Sequence, residues 1–149
     1  MKISQLLKEE LIFLDVPVAD KFAAIDFLAD KMRNAEGVED IDLLRQDIVI
    51  RENQIPTGLE NGCAIPHARS EGVTCLVLSF ARLSESIDFG AMDGVPARLI
   101  FQFGIPPESI SEYLKILAKL SRLLKKSDIR ESLLNAQSPA DIIQAFAEK

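Results

Sequence analysis

Residues 74–104 read TCLVLSFARLSESIDFGAMDGVPARLIFQFG and contain two apolar runs near the middle of the chain. Both runs, residues 74–81 and 97–104, are nearly continuous in apolar and β-branched side chains, which predicts two strands covered on both faces. Residues 87–96 lie between them and hold two glycines and a proline, so they predict a short extended piece followed by a turn.

Patterns nearer the N-terminus predict further strands and helices. Residues 11–14 form an apolar run typical of a first strand, and residues 64–65 predict a short strand that ends at Pro66. Apolar residues recur at spacings of three and four over residues 20–34, which predicts a helix, and Asp40 is the expected N-cap of the next helix.

The last third of the chain is predicted to be helical. One face of its first helix is formed at 4-3-4-3 spacing by Ile110, Leu114, Leu117, Ser121 and Leu124. Ser138 followed by proline predicts the start of the last helix. Because strands lie in the middle and helices at both ends, we predict an α/β fold, a three-layer α/β/α sandwich with a mixed central sheet, as one domain over residues 1–149.

Composition excludes several classes of function. The chain carries 17 basic and 23 acidic residues, a formal charge of −6, which argues against nucleic acid as a partner. Its apolar runs are shorter than the roughly 18–20 residues of a membrane-spanning helix, and the charged N-terminus is unlike a signal peptide. We therefore expect a cytoplasmic protein without membrane insertion. Its two cysteines do not make a disulfide framework or a zinc ligand set.

The candidate chemistry lies in residues 51–69, which read RENQIPTGLENGCAIPHAR and include His67, the single histidine of the sequence. Imidazole is nucleophilic near neutral pH because its unperturbed pKa lies near 6.5. The stretch combines this nucleophile with a glycine-containing loop, a hydroxyl and a guanidinium that suit an oxyanion, and the combination suggests a histidine that is itself phosphorylated. A purely structural imidazole is the competing interpretation.

The same segment has residues suited to an oxyanion. Gly58 and Gly62 allow positive φ or a close approach of the backbone, Thr57 supplies a hydroxyl, and Arg51 supplies a guanidinium. Each also has an alternative role, since Arg51 can stabilise a helix end and Thr57 can stabilise its own turn.

The order and spacing of RE at residues 51–52, TG at 57–58 and GCAIPHAR at 62–69 resemble the enzyme IIA domains of the phosphoenolpyruvate-dependent phosphotransferase system, in the fructose, mannitol and nitrogen-regulatory superfamily. The resemblance implies a phosphocarrier that accepts a phosphoryl group from HPr, or from its nitrogen-branch paralogue, on Nε2 of His67. Arg51, Thr57 and backbone N–H groups near Gly58 would hold the phosphoryl oxygens, with no metal or other cofactor required.

One position departs from the family pattern. A second histidine often precedes a Leu-x-x-Leu helix motif in these proteins, and here that position is Tyr113. A tyrosine hydroxyl can donate a hydrogen bond to a phosphoryl oxygen but cannot act as a proton switch near neutral pH. Packing of a partly buried tyrosine against the loop is the alternative.

Three functions remain open. Sugar-type members pass the phosphoryl group to a cysteine of an enzyme IIB, whereas nitrogen-type members regulate a transporter or kinase according to phosphorylation state. Residues 87–96 resemble nitrogen-type members, so regulation is the favoured prediction. The third possibility is a binding domain without phosphoryl turnover, suggested by Tyr113.

Overall fold

The computed structural model of the protein describes residues 1–147, in which six α-helices and five strands are assigned. The helices are α1 (Ile3–Leu6), α2 (Lys21–Met32), α3 (Ile41–Gln54), α4 (Ile110–Leu124), α5 (Ser127–Asn135) and α6 (Pro139–Ala145). The strands are β1 (Ile12–Val16), β2 (Cys63–Ala64), β3 (His67–Arg69), β4 (Val77–Ile87) and β5 (Ala97–Ile105). None of the helices within residues 1–147 has the length and apolar character needed to cross a membrane.

The strands form one mixed sheet in the order β1-β4-β5-β2, with β3 also pairing with β5. β4 and β5 are antiparallel partners, whereas β1 runs parallel to β4, and β2 and β3 run parallel to β5. The predicted α/β class with a mixed central sheet is confirmed.

Side chains of β5 alternate between two helical layers. Leu99, Phe101 and Phe103 join the apolar cluster that contains α4, α5 and α6. Ile100 packs with residues of α2, and the Gln102 amide donates to a backbone carbonyl of the same helix at 3.2 Å. Both faces of the central strands are therefore covered, as their continuous apolar character predicts.

Strand β4 differs from its predicted bounds at both ends. It begins at Val77 rather than at Thr74, because Thr74 donates its backbone N–H to the carbonyl of Gly37 instead of entering the sheet. It continues past Ala81 to Ile87, since Arg82 pairs with Leu99 and, beyond an irregularity in the register, Ile87 pairs with Ala97. Cross-strand pairing extends the strand where its apolar pattern ends.

The second strand of the prediction is interrupted. Cys63 lies opposite Leu99, and His67 lies opposite Phe103, so β2 and β3 follow β5 in one unbroken register. Residues 65–66 stand outside the ladder, because proline at position 66 has no N–H to donate. His67 consequently opens a new strand segment, whereas the sequence pattern placed it after the end of one.

The helical spacing that predicts α4 coincides only in part with the face that the structure buries. Leu114 is 55% exposed, and Ile110 and Leu117 are only half-buried. The stripe that packs into the core is formed instead by Tyr113, Ile116, Leu120, Leu123 and Leu124. The helix has apolar residues on two neighbouring faces, and periodicity alone cannot decide which of them meets the sheet.

Capping hydrogen bonds confirm the predicted starts of two helices. The Asp40 carboxylate accepts the backbone N–H of Leu43 at 3.1 Å at the start of α3, and the Ser138 hydroxyl accepts that of Asp141 at 3.3 Å at the start of α6. These bonds satisfy amide groups that have no partner inside their helices. Helix α3 thereby begins at a defined residue and carries Arg51 to its last turn.

Candidate functional site

An open depression of about 690 Å³ lies where the last turns of α3 meet the start of β3 and the first turns of α4. Its lining combines charged and polar groups with apolar ones: Asp47, Ile50, Arg51, Gln54, His67, Ala68, Arg69, Ile105, Ile110, Tyr113, Leu114 and Leu117. Three of the five predicted site residues, His67, Arg51 and Tyr113, are therefore brought together on one surface.

The imidazole of His67 is held by the backbone just before it. Nδ1 lies 2.8 Å from the carbonyl oxygen of Ile65, which stands in the interruption between β2 and β3. A carbonyl can only accept, so Nδ1 carries the proton and donates it to Ile65. The other ring nitrogen, Nε2, consequently carries a lone pair and no proton.

The surroundings of His67 favour its neutral form. Burial lowers the pKa of His67 below its ordinary value of 6.5, and the nearby Arg51 guanidinium lowers the pKa further. The hydrogen bond to Ile65 and the carboxylate of Glu52 act in the opposite direction but do not cancel the effect of burial. These effects favour the neutral imidazole, with its lone pair on Nε2.

Two buried hydrogen-bond donors beside the histidine lack acceptors. Nη1 of Arg51 and Oη of Tyr113 are both buried, and neither has a hydrogen-bond partner within residues 1–147. Buried polar groups in native proteins are nearly always paired, because an unpaired one costs about 1–3 kcal/mol. Two such donors on the surface that holds His67 fit a ligand rich in acceptor oxygens, such as a phosphoryl group.

The ring of Tyr113 is a firmly packed neighbour of His67. It is 2% exposed, lies 5.4 Å from the imidazole between ring centroids, and packs edge-on against Phe103 at 5.2 Å. Burial raises the pKa of the Tyr113 hydroxyl above its ordinary value of 10. The hydroxyl therefore keeps its proton and can donate it in a hydrogen bond.

Thr57 and Gly58, the other two predicted site residues, do not line the depression. The N–H and hydroxyl of Thr57 both donate to the carboxylate of Glu52, at 3.0 and 2.5 Å, and the N–H of Gly58 donates to the carbonyl of Phe89 at 3.2 Å. These donors are already engaged within the protein. Gly58 also has no room for a side chain, since a Cβ there would lie 2.8 Å from the backbone of Phe89 and of Ala91.

Sequence reasoning missed the part that Glu52 has in this region. The residue is 2% exposed, and its carboxylate accepts hydrogen bonds from Thr57 and from Lys21. The available signal was the acidic residue directly after Arg51 in the segment that carries the chemistry.

Two exposed apolar side chains at the rim were also missed. Ile50 is 48% exposed and Leu114 is 55% exposed, and both line the depression that holds His67. Exposed apolar groups around a reactive residue are typical of a surface that contacts another protein.

Comparison with known proteins connects this geometry with one family. Residues 5–149 match the family model of the phosphoenolpyruvate-dependent sugar phosphotransferase system, EIIA 2. The chain is similar to the fructose-specific EIIA component of Haloferax volcanii, with 40% identity over 98% of this chain and 95% of that protein.

Solved structures of similar proteins extend the match to the fold. The nitrogen regulatory protein IIA-Ntr of Neisseria meningitidis is 30% identical, with a TM-score of 0.90 over 97% of this chain and 99% of that one. Enzyme IIA for mannitol of Escherichia coli, solved in complex with phosphorylated enzyme IIB for mannitol, is 23% identical, with a TM-score of 0.82 over 96% of this chain and 98% of that one.

Proposed function

The chain belongs to the EIIA 2 family of the phosphoenolpyruvate-dependent sugar phosphotransferase system, and on that premise we propose that it carries a phosphoryl group on Nε2 of His67. The observation that carries the proposal is the 2.8 Å contact from Nδ1 to the carbonyl of Ile65, which leaves the Nε2 lone pair free. The depression around the ring supplies unpartnered donors for the oxygens of the incoming group.

The transfer conserves protons at His67. The Nε2 lone pair attacks phosphorus, the new N–P bond forms as the N–P bond of the donor phosphohistidine breaks, and the donor imidazole leaves with the electron pair of that bond. The Nδ1 proton stays on the hydrogen bond to Ile65. The phosphorylated ring then carries positive charge, which makes it a good leaving group for the next transfer.

Arg51 and Tyr113 would stabilise the group during transfer. Phosphoryl transfer relies mainly on positioning and on electrostatic stabilisation of charge spread over three oxygens. A guanidinium nitrogen and a neutral phenol hydroxyl that are already buried and lack acceptors need little rearrangement to meet those oxygens. Arg51 therefore offers charge, and Tyr113 offers a neutral donor in place of a second histidine.

The donor is proposed to be the phosphohistidine of HPr or of its nitrogen-branch paralogue. A protein donor must place its own histidine close to Nε2, so its surface has to cover the depression. The exposed side chains of Ile50 and Leu114 border the depression and give such a partner apolar area to bury.

Two destinations for the phosphoryl group have support. Passage to a cysteine of an enzyme IIB is favoured by the 40% identity to the fructose-specific EIIA component, which extends over nearly all of both chains. Regulation of a transporter or kinase, which residues 87–96 favoured, is supported by the TM-score of 0.90 to IIA-Ntr. Since the superfamily shares one fold, we give sequence identity the greater weight and place sugar-type transfer first.

The first experiment is phosphorylation in vitro with enzyme I, HPr and labelled phosphoenolpyruvate. Wild-type protein is expected to acquire one acid-labile phosphate, and His67→Ala is expected to acquire none. Cys75→Ser is the matched control. Cys75 is an exposed thiol, and cysteine is the other type of side chain that carries phosphate in these relays. Label that survives in His67→Ala would contradict the proposal.

The second experiment separates the two destinations. Phosphorylated protein is mixed with candidate enzyme IIB proteins, and the rate of label loss is followed. Rapid transfer to a IIB cysteine supports sugar-type function. Label that stays on His67, together with a partner that binds one phosphorylation state in preference, supports the regulatory function.

A further inference from the structure

We propose that Glu52 is a positioning residue for the phosphoryl acceptor; the proposal rests on the assignment of His67 as that acceptor. Glu52 does not line the depression, and the hydrogen bond of the His67 imidazole goes to Ile65 rather than to Glu52. It acts on His67 through Thr57 and Ile65, by a chain of hydrogen bonds that connects the end of α3 with the interruption between β2 and β3.

The buried carboxylate is fully engaged. Oε1 accepts the hydroxyl of Thr57 at 2.5 Å, while Oε2 accepts the backbone N–H of Thr57 at 3.0 Å and the ammonium of Lys21 at 3.2 Å. The carboxylate side chain has no exposed surface, whereas that of Lys21 remains 21% exposed. A buried charge is tolerated when it is paired and hydrogen-bonded in this way, so Thr57 is held firmly at the end of α3.

Backbone hydrogen bonds connect Thr57 with the histidine. The carbonyl of Thr57 accepts the N–H of Ile65 at 3.0 Å, and the carbonyl of Ile65 accepts Nδ1–H of His67 at 2.8 Å. A second backbone bond, from the N–H of Leu59 to the carbonyl of Cys63 at 2.8 Å, keeps the two segments side by side. The position of Ile65, and with it the protonated nitrogen of His67, therefore depends on where Thr57 is fixed.

The same residue also relates the two sides of the phosphoryl site. Arg51 precedes Glu52 on α3, while His67 follows the segment that Glu52 anchors through Thr57. If that anchor is lost, the helix and the strand can shift relative to each other. Displacements of about 1 Å at a reacting centre can lower rates by roughly 100-fold.

An amide cannot replace this carboxylate. Three donors converge on it, and glutamine offers one acceptor oxygen together with an NH₂ group that would face at least one donor. Glu52→Gln is nearly isosteric, so it removes acceptors without opening a cavity. Thr57→Val is milder, since it removes the hydroxyl donor and leaves the backbone N–H in place.

The test uses the single histidine of the sequence. Protein with a cleaved affinity tag is labelled with ¹⁵N at the imidazole, and NMR reports directly whether Nδ1 or Nε2 carries the proton. Wild type is expected to hold the proton on Nδ1. Glu52→Gln is expected to show a detectable share of the Nε2–H form and a phosphoryl transfer rate reduced roughly 10- to 100-fold.

Matched variants separate positioning from loss of fold. Thr57→Val is expected to shift the tautomer in the same direction and to slow transfer by about 10-fold, whereas Thr57→Ser keeps the hydroxyl and restores both readouts. Asp26→Asn removes an exposed carboxylate of an ion pair on α2 and is expected to leave both unchanged. If Glu52→Gln does not fold, the comparison of Thr57→Val with Thr57→Ser decides whether this hydrogen-bond chain positions His67.

Failure of the proposed function and failure of the role proposed for Glu52 give different experimental results. Wild-type protein that is not labelled on His67 would overturn the proposed function, while the tautomer measurement would still report on Glu52 because it needs no phosphate. A labelled wild type, with folded Glu52→Gln or Thr57→Val showing the wild-type tautomer and rate, would overturn the role of Glu52.

Discussion

Two regions of the molecule place an arginine under opposite conditions. At the contact between β4 and the end of α5, Nη1 of Arg82 lies 2.7–3.2 Å from the carbonyls of Leu133, Leu134 and Ala136, while Nε and Nη2 donate to Asp15 at 3.2 Å. In the depression at the end of α3, Nη1 of Arg51 is buried and has no acceptor within residues 1–147.

The difference distinguishes an arginine that stabilises the fold from an arginine that is available to a ligand. Arg82 supplies donors to carbonyls that a helix end leaves without partners, and so fastens α5 to the sheet. Arg51 also has a buried Nη1 but no acceptor for it within residues 1–147, which leaves this donor available for the proposed phosphoryl group. Whether a buried cation is satisfied by its own chain is therefore a better guide to its role than burial itself.

Arg51→Gln should slow phosphoryl transfer much more than a substitution of Arg82 does. The variant loses the charge that we propose stabilises the transferring group, and phosphoryl transfer should fall by roughly 100- to 1000-fold. Thermal unfolding should stay close to wild type, because the orphaned donor contributes little to the fold. The checks are single-turnover labelling and melting temperature; a large loss of stability with normal transfer would reverse the comparison.

Arg82→Met should show the opposite pattern. It keeps the aliphatic stem but leaves several carbonyls without a donor, which should lower the free energy of unfolding by about 3 kcal/mol. Transfer per folded molecule should be unchanged. Arg45→Met is the control, since Arg45 reaches Asp26 only at 3.7 Å and both side chains are about half exposed, so its loss should cost no more than about 1 kcal/mol. Denaturant unfolding measures both variants.

Tyr113→Phe sharpens the comparison within the site. It retains the ring that packs against His67 and Phe103 and removes the orphaned hydroxyl. We expect transfer to slow by about 5-fold, the equivalent of one ordinary hydrogen bond, with equal or slightly higher stability. An unchanged transfer rate would assign Tyr113 to packing alone.

The pH dependence of transfer should show a small but directional effect. The folded-state pKa of His67 is lowered by burial and by Arg51, so its lone pair stays available as pH falls through 6.5, and the rate should decline only at more acidic pH. Removing the cation with Arg51→Gln should move that decline towards higher pH. NMR titration of His67 measures both; a wild-type midpoint at or above 6.5 would contradict the expectation.

Local patterns predicted much of the architecture because they act over a few residues. The caps at Asp40 and Ser138 were correct because each involves an amide three residues away. The spacing in α4 did not identify its buried face, since Leu114 and Tyr113 sit on neighbouring faces and only contact with the sheet distinguishes them. Leu114 belongs to the predicted apolar spacing but borders the depression.

The site was predicted unevenly for a related reason. His67, Arg51 and Tyr113 meet in one depression, as the resemblance implied, whereas Thr57 and Gly58 lie outside it with their donors engaged. A motif identifies residues that occur together but does not say which ones face the ligand. Their roles depend on acceptors that come from other parts of the chain.

By itself, the sequence predicted the longer helices, the central strands and the family, and it singled out His67 as the candidate phosphoryl acceptor. Each of these follows from residue type and short-range spacing, or from a string of motifs in order. Only the tertiary structure decided which nitrogen of His67 is free, which arginine is satisfied and what Glu52 holds. Hydrogen bonds and burial decide those questions, and both depend on groups that folding brings together from distant positions.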